Sequence, residues 1–344
     1  MGKQLVDALR SRGEVVTVNR GNSYWGSCSS PTLRANRRHR EKYRDSISEL
    51  VNSGQRSWLG VVDFCGYSPK DMQESLPDIL FDWEIFPIYI FISTDSVYEV
   101  SPNASGESSL GRPVTEDCAG LQDPSLYNRD AYGHKKLMGE EALSQRSELK
   151  QSLVILRLPD VLGEYDDTLR LWSLKLWVES GMPVYSPTDL DDTPLAFVYS
   201  GDVVAVITDL LMPKAKTVRG CFNLCSDEQI NFTDLIRMIA STDQVDASGP
   251  RITDKGVRKQ FLPSVEFRRR PLSNEKAKKS LKFNPTPLQA VLERSVSWIN
   301  KVAEKEFRDE FSEAIRDLPP LVRERWCELH DHVVSSSSSG DGSD

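Results

Sequence analysis

The sequence predicts an α/β protein built on a doubly wound parallel sheet. Strand-sized apolar runs recur along the chain, and they lack the alternating polar positions of a strand with one face in water. The clearest runs are Gly60–Phe64, Pro87–Ser93 and Leu153–Leu156, and the helical stretch Tyr132–Gln145 separates the last two. Strands of this kind are buried on both faces, and helices carry the chain between them in right-handed crossovers.

Further elements flank these strands. The spacing of Leu5, Val6 and Leu9 predicts a helix, and the β-branched run Val15–Val18 predicts a short strand. A weak strand and a basic helix follow, at Thr32–Leu33 and Arg37–Asn52. After Pro159 we expect helices at Leu169–Glu179, Asn231–Ile239 and Thr286–Ile299, and a return to the sheet at Phe197–Met212 and Cys221–Leu224.

Length and charge limit the class of protein. The 344 residues are enough for one large two-lobed domain or two ordinary ones, with a substantial core. The net charge of -8 argues against a general affinity for nucleic acid or anionic membranes. The longest apolar run, Ile85–Ile92, is strand-sized, so we expect no membrane partner.

The cysteines predict reduced thiols in a cytoplasmic protein. They are scattered without the spacing of a metal site, and we expect no bound metal. The six positions are Cys28, Cys65, Cys118, Cys221, Cys225 and Cys327.

A Tyr-x-x-x-Lys pair, Tyr132 and Lys136, lies at the start of a predicted helix. A spacing of four places both side chains on one helical face. A free tyrosine hydroxyl titrates near ~10, and a nearby ammonium favours its phenolate, which makes it a usable base. Tyr and Lys four apart are also common on solvated helices, so the pair alone is weak evidence.

The residues upstream of this pair strengthen the interpretation. The apolar strand Ile88–Ile92 ends in Ser93 and Thr94, and Val97-Tyr98 follows shortly after. Read locally, Thr94 is a strand-end cap and Asp95 an N-cap. Only the ordered set favours a catalytic role.

The order of strand, Ser/Thr, Val-Tyr and Tyr-x-x-x-Lys resembles the active-site layout of the extended short-chain dehydrogenases/reductases, the NAD-dependent epimerase/dehydratase family. Four later segments also resemble that family and extend the likeness to about residue 300: Leu156–Pro159, Phe197–Val204, Cys221–Leu224 and Lys276–Pro287. The resemblance implies a Rossmann-type sheet with a smaller C-terminal α/β substrate lobe.

The resemblance also implies the roles of the catalytic residues. Thr94 is expected to hydrogen-bond the reacting hydroxyl or carbonyl. Tyr132 is expected to exchange its proton while a hydride passes to or from the nicotinamide. Lys136 is expected to tune Tyr132 and to bind the nicotinamide ribose. A homodimer through the helix that carries Tyr132 is implied in the same way.

The expected substrate is a sugar nucleotide or a related hydroxyl or carbonyl compound. Dehydratases of the family follow the Thr with two carboxylates, whereas this chain has Asp95 and then Ser96, which argues against full dehydratase chemistry. Arg268 is expected to bind a diphosphate, with a solvated basic turn as the alternative. The expected substrate-binding residues are Asp95, Ser96, Asp160 and Arg268.

The expected cofactor is NAD or NADP. Asn19-Arg20 lacks the acid that binds the ribose hydroxyls of NAD and supplies an Arg for a 2'-phosphate, which favours NADP. An exposed loop arginine is the alternative reading. The other expected cofactor-binding residues, besides Tyr132 and Lys136, are Gly2, Cys65, Gly66 and Pro159.

The family's first strand and Gly-x-x-Gly-x-x-Gly loop have no complete counterpart here. Gly2 would be the third glycine of that loop, and the strand and the first two glycines are missing. We expect a truncated or mis-started version of a longer protein. The alternative is a real variant that no longer needs the cofactor.

The expected domain organisation follows from the resemblance. Residues 1–165 form the dinucleotide-binding Rossmann-like domain, and residues 195–225 return to it. Residues 166–300 form the substrate lobe, and residues 301–344 form a charged helical and disordered tail.

Two other functions remain open. A basic run between Arg34 and Arg44 can contact phosphates, as in RNA-binding relatives of this fold, although interspersed acids suggest a solvated helix face. A catalytically silent scaffold is the third candidate, because the glycine loop is incomplete.

Overall fold

The computed structural model describes two compact units of the chain. The first comprises residues 1–161, 196–227 and 270–285, and the second comprises residues 162–195, 228–269 and 286–344. The described residues are 1–21, 30–54, 57–82, 84–102, 113–166, 168, 170–185, 194–212, 218–243, 252–253, 271–302, 315–316 and 318–329.

Helices alternate with strands through most of the chain. The first half contains α1 (Gly2–Leu9), β1 (Thr17–Asn19), β2 (Thr32–Arg34), α2 (Arg40–Asn52), β3 (Val61–Asp63), α3 (Pro69–Gln73), β4 (Tyr89–Thr94), α4 (Ala131–Ser144), β5 (Leu153–Leu158) and β6 (Asp160–Leu162). The second half contains α5 (Arg170–Glu179), β7 (Val184–Tyr185), β8 (Phe197–Tyr199), α6 (Ser200–Leu210), β9 (Gly220–Asn223), α7 (Phe232–Thr242), β10 (Ile252–Thr253), α8 (Glu275–Leu281), α9 (Leu288–Val302) and α10 (Pro320–Leu329).

The central sheet of the first unit has four parallel strands in the order β3-β4-β5-β9. Every residue of β4 and β5 is buried. Successive side chains of β4 enter opposite cores: Ile90 and Ile92 pack on one face, while Tyr89 and Phe91 pack on the other. This two-sided burial explains the continuous apolar runs of the sequence and confirms the predicted doubly wound parallel α/β fold.

Helices cover both faces of this sheet. One core joins the sheet to α1, α6 and α8 through residues such as Leu5, Val203 and Ala277. The opposite core joins it to α2, α3 and α4 through residues such as Met72 and Leu143. The sheet edge where the strands end is therefore the place where loops from several elements meet.

The strands β1 and β2 form a separate parallel pair, with Thr17 opposite Thr32 and Asn19 opposite Arg34. Within the described residues, β1 pairs only with β2 and β3 pairs only with β4. Within the described residues, no strand pairing thus connects the β1-β2 pair to the central sheet.

The expected return of Phe197–Met212 to the sheet is made mainly by a helix that packs on the sheet, and not by a strand of the sheet. Only Phe197–Tyr199 is a strand, and it pairs with Asp160–Leu162 rather than with the central sheet. The rest is α6, whose buried Val203, Ile207 and Leu210 are spaced four and three residues apart. That helical periodicity is present in the sequence and outweighs the strand propensity of its valines.

The segment 271–285 belongs to the first unit, whereas the sequence placed it in the smaller lobe. The Asn274 amide donates to the Cys225 carbonyl at 2.8 Å and to the Asp227 carboxylate at 2.7 Å. Lys278 also pairs with Asp227 at 2.6 Å. These contacts connect the start of α8 and the residue before it to the residues that follow β9.

The second unit is mainly helical. The buried ammonium of Lys175 on α5 pairs with Glu179 and with Asp243, which follows α7. Trp326 of α10 donates its indole N–H to Glu179 at 3.1 Å. No helix in the described part of the chain is long and apolar enough to cross a membrane.

Candidate active site

Thr94 ends β4 at the carboxyl edge of the central sheet, and its side chain is buried. Its Oγ1 accepts the Ser96 backbone N–H at 3.2 Å and thereby caps the short turn Asp95–Tyr98. Its hydroxyl also contacts Asp95 Oδ1 at 3.4 Å, a long hydrogen bond. Thr94, rather than Asp95, therefore caps this turn. The Thr94 hydroxyl proton makes only a long hydrogen bond.

The helix α4 begins directly against this turn. The Asp130 carboxylate caps the helix by accepting the backbone N–H groups of Tyr132 and Gly133, both at 2.9 Å. A Cβ on Gly133 would lie 2.2 Å from the Ser96 carbonyl oxygen, so only glycine permits this approach. The approach brings Tyr132, which is 45% exposed, beside the turn that follows Thr94.

Lys136 lies one helical turn after Tyr132 and is almost fully buried. Its ammonium donates to the Ile92 carbonyl at 2.8 Å and lies 5.9 Å from the centre of the Tyr132 ring. Burial lowers the pKa of Lys136 to about 8. The structure therefore brings Thr94, Tyr132 and Lys136 to one end of β4.

The loop after β3, which contains Cys65 and Gly66, also lies close to Lys136. Burial and the neighbouring Asp63 raise the pKa of the Cys65 thiol, and the cations Arg37, Lys136 and Arg20 oppose that effect. A Cβ on Gly66 would lie 2.0 Å from Met72 Cε and 2.9 Å from the Phe91 ring. Internal packing thus accounts for this glycine.

The remaining predicted residues lie in several places. Gly2 is exposed at the start of α1, with open space around its Cα, and Arg20 is exposed just after β1. Pro159 is buried and Asp160 half-buried, directly after β5, whose Leu158 is opposite Thr94. Asp95 is buried and Ser96 is half-buried in the turn. Arg268 lies outside the described residues, as do residues 303–314 and 330–344 of the expected tail.

Sequence reasoning missed a buried polar cluster that supports the loop after β3. The Arg37 guanidinium binds both oxygens of Asp63, at 2.9 and 3.0 Å. Tyr89 donates its hydroxyl to Asp63 at 2.8 Å, and Cys65 donates its backbone N–H at 2.9 Å. Burial alone would raise the pKa of the Asp63 carboxyl, but Arg37 holds that pKa below its usual value. A charged Asp63 therefore fixes the start of the loop.

This cluster bears on the basic run proposed for RNA contacts. Arg37 is committed to Asp63 and largely buried, and Arg40 pairs with Glu74. Two cations of the run are thus neutralised within the protein.

A second buried network, also missed, supports α4. Arg157 of β5 donates to the Glu140 carboxylate of α4, with a shortest distance of 2.6 Å. Ser93 donates to the same carboxylate, and Arg157 also donates to the Tyr98 hydroxyl at 3.1 Å. Tyr98 in turn donates to Asn223 of β9 at 2.6 Å. The network connects α4 to three neighbouring strand ends and to the turn after Thr94.

Removing the cation of this network should destabilise the fold. In Arg157→Leu the Glu140 carboxylate stays buried without its partner, and we expect the free energy of unfolding to fall by about 3–5 kcal/mol in urea titrations. The control Arg237→Leu removes an exposed ion pair with Asp234 and should cost less than about 1 kcal/mol. The double variant Glu140→Gln/Arg157→Leu should recover part of the loss. Equal losses in Arg157→Leu and Arg237→Leu would contradict this account.

The pKa of Lys136 predicts a pH dependence of stability. The folded group titrates near pH 8, whereas an unfolded lysine titrates near ~10.4. Between these values the unfolded chain binds more protons, so the contribution of Lys136 to the free energy of unfolding rises with pH. We expect the stability difference between wild type and Lys136→Met to grow in favour of wild type from about pH 8 to about pH 10. The exposed neighbour Lys135→Met is the control, and a flat difference for Lys136→Met would refute the prediction.

Comparison with known proteins concerns the fold. No protein-family model matches the chain, and no curated protein matches it in sequence. The UDP-glucose 4-epimerase of Thermotoga maritima with UDP-glucose is 19% identical, over 88% of this chain and 96% of that one, with a TM-score of 0.63. The UDP-glucose 4-epimerase of Thermus thermophilus in complex with NAD is 17% identical, over 88% and 96%, with a TM-score of 0.64.

A dehydratase matches to the same extent. The dTDP-glucose 4,6-dehydratase of Bacillus anthracis in complex with NAD is 14% identical, over 88% of this chain and 94% of that one, with a TM-score of 0.63. At such identities the likeness concerns the fold. The chain thus has the Rossmann-type fold of the NAD-dependent sugar-nucleotide epimerases and dehydratases.

Proposed function

We propose that the protein is an NAD(P)-dependent oxidoreductase or isomerase of the epimerase type. Its substrate is a sugar nucleotide or a related hydroxyl or carbonyl compound. The observation that carries the proposal is the convergence of Thr94, Tyr132 and Lys136 at the end of β4, enforced by the contact of Gly133 with Ser96.

In this proposal Tyr132 exchanges a proton with the substrate oxygen. Its exposure leaves the ring open to a ligand, and the nearby Lys136 ammonium favours the phenolate electrostatically. Thr94 donates a hydrogen bond to the same oxygen by giving up its long contact with Asp95. An NAD(P) molecule bound there would supply the hydride acceptor and donor.

The positions of several residues around the site support a dinucleotide cofactor. Arg20 directly follows β1, Cys65 follows β3, and the Lys136 ammonium donates to the Ile92 carbonyl near the end of β4, so all three residues lie at strand ends, where loops can contact a ligand. The open space around Gly2 leaves the start of α1 accessible. The proposed cofactor-binding set is Gly2, Arg20, Cys65, Gly66, Tyr132, Lys136 and Pro159. Arg20 supports NADP over NAD, because a guanidinium binds a 2'-phosphate and no acid occupies that position.

The proposed substrate site adjoins the same strand ends. Asp95 and Ser96 follow β4, and Asp160 follows β5 at the same edge. The structural neighbours crystallised with UDP-glucose or NAD support a nucleotide-sugar substrate. Arg268 as a diphosphate ligand and a homodimer through α4 stay predictions.

Cofactor choice can be tested by titrating the chain with NADPH and NADH while following nicotinamide fluorescence and thermal stability. We expect saturable binding that favours NADPH. Arg20→Gln should weaken NADPH binding by about tenfold or more, because it removes a charge-assisted hydrogen bond, and leave NADH unchanged. The exposed Arg12→Gln is the matched control. A folded chain that binds neither nucleotide would contradict the proposal and favour a scaffold.

Catalysis can be tested with UDP-glucose and either nicotinamide cofactor, by separating the UDP-hexose products chromatographically. Tyr132→Phe keeps the ring but lacks the exchangeable proton, so kcat should fall by about 10²–10⁴-fold with nucleotide binding intact. Tyr127→Phe is the control, since the Tyr127 hydroxyl donates to the Leu121 carbonyl and Tyr127 is outside the proposed set of site residues. Unchanged turnover in Tyr132→Phe would exclude Tyr132 as the base.

A further inference from the structure

The Lys136 ammonium lies among three aromatic rings. Its Nζ is 4.9 Å from the centre of the Tyr67 ring, 4.8 Å from that of Phe91 and 5.9 Å from that of Tyr132. These distances are within the ~6 Å range of cation–π attraction. Phe91 belongs to β4 and Tyr132 to α4, whereas Tyr67 comes from the loop after β3.

The scaffold holds the Tyr67 loop in place. The Tyr67 backbone N–H donates to Asp71 at 3.1 Å, and the adjacent Gly66 is packed between Met72 and Phe91. Asp63, held by Arg37, accepts the backbone N–H of Cys65 at the other end of the loop. The Tyr67 ring therefore reaches Lys136 from a fixed backbone.

Tyr67 and Tyr132 together frame the ammonium. Their ring centres are 6.3 Å apart, and the residues are 50% and 45% exposed, whereas Lys136 is 2% exposed. Burial disfavours a cation, and the negative face of an aromatic ring offsets part of that penalty. The Tyr67 ring is thus suited to hold the ammonium beside Tyr132.

We propose that Tyr67 is a positioning residue of the site, whose ring keeps Lys136 in its cationic form beside Tyr132. The role of Tyr132 as base rests on the proposed function, but the link between Tyr67 and Lys136 is independent of it. Other titratable groups also act on Lys136: Asp63, Cys65 and Glu140 favour its cation, and Arg37 disfavours it.

The test follows the titration of Lys136 by NMR in protein labelled with carbon-13 lysine, without cofactor or substrate. Lys136→Met assigns the resonance by its disappearance. In Tyr67→Leu the apolar leucine side chain still shields the Lys136 ammonium from water, but it has no aromatic ring to interact with the cation. We expect the ratio of neutral amine to ammonium at a given pH to rise about 2- to 30-fold, the range of cation–π stabilisation.

Two variants serve as controls. Tyr67→Phe keeps the ring, and Tyr127→Leu removes a nearby tyrosine ring that stacks on His134. Both should titrate as wild type does. A titration of Tyr67→Leu that coincides with wild type, or an equal shift in Tyr67→Phe, would overturn the proposal. Tyr67→Met replaces the leucine variant if that variant does not fold.

A second readout separates this proposal from the proposed function. If the chain turns over UDP-sugars, Tyr67→Leu should lower kcat at neutral pH and leave KM nearly unchanged, because the effect passes through Lys136. If the chain binds no nicotinamide nucleotide, the NMR titration still decides the Tyr67–Lys136 link while the proposed function fails.

Discussion

The buried ion pair between Arg157 and Glu140 is the interaction on which the arrangement of the site depends. Burying two charges costs several kcal/mol per ion unless their hydrogen bonds are satisfied, and Ser93, Tyr98 and the Glu116 carbonyl satisfy them here. Because the pair joins α4 to β5, it sets the position of the helix relative to the central sheet. The position of the helix decides where Tyr132 and Lys136 lie.

A second buried pair, Arg37 with Asp63, has the same function for the loop after β3. Between these two polar clusters lies Lys136, which contacts residues held by both. Its burial disfavours the ammonium, while the carboxylates of Asp63 and Glu140 favour it and the Ile92 carbonyl accepts its hydrogen bond. Neighbouring groups held by the fold thus contribute to the electrostatics around Lys136, as in preorganised sites.

Both clusters have a signal in the sequence that pattern reasoning did not use. Arg157 interrupts the apolar run Leu153–Leu158, and Asp63 interrupts Val61–Phe64. A charged residue inside a doubly buried strand requires a partner, because an unpaired charge there is prohibitively costly. Such interruptions predict that a buried partner exists, but the partner residues are distant in sequence and only the fold identifies them.

The sequence by itself determined the parallel α/β class, most strand positions and the facing of Tyr132 and Lys136, because these depend on local periodicity and on spacing within one helix. It did not determine that Ser200–Leu210 is a helix that packs on the sheet. It also did not determine that Gly66 is packed closely against Met72 and Phe91. Nor did it place Tyr67 beside Lys136. These features depend on contacts between segments far apart along the chain, and such contacts are decided only when the tertiary structure packs the segments together.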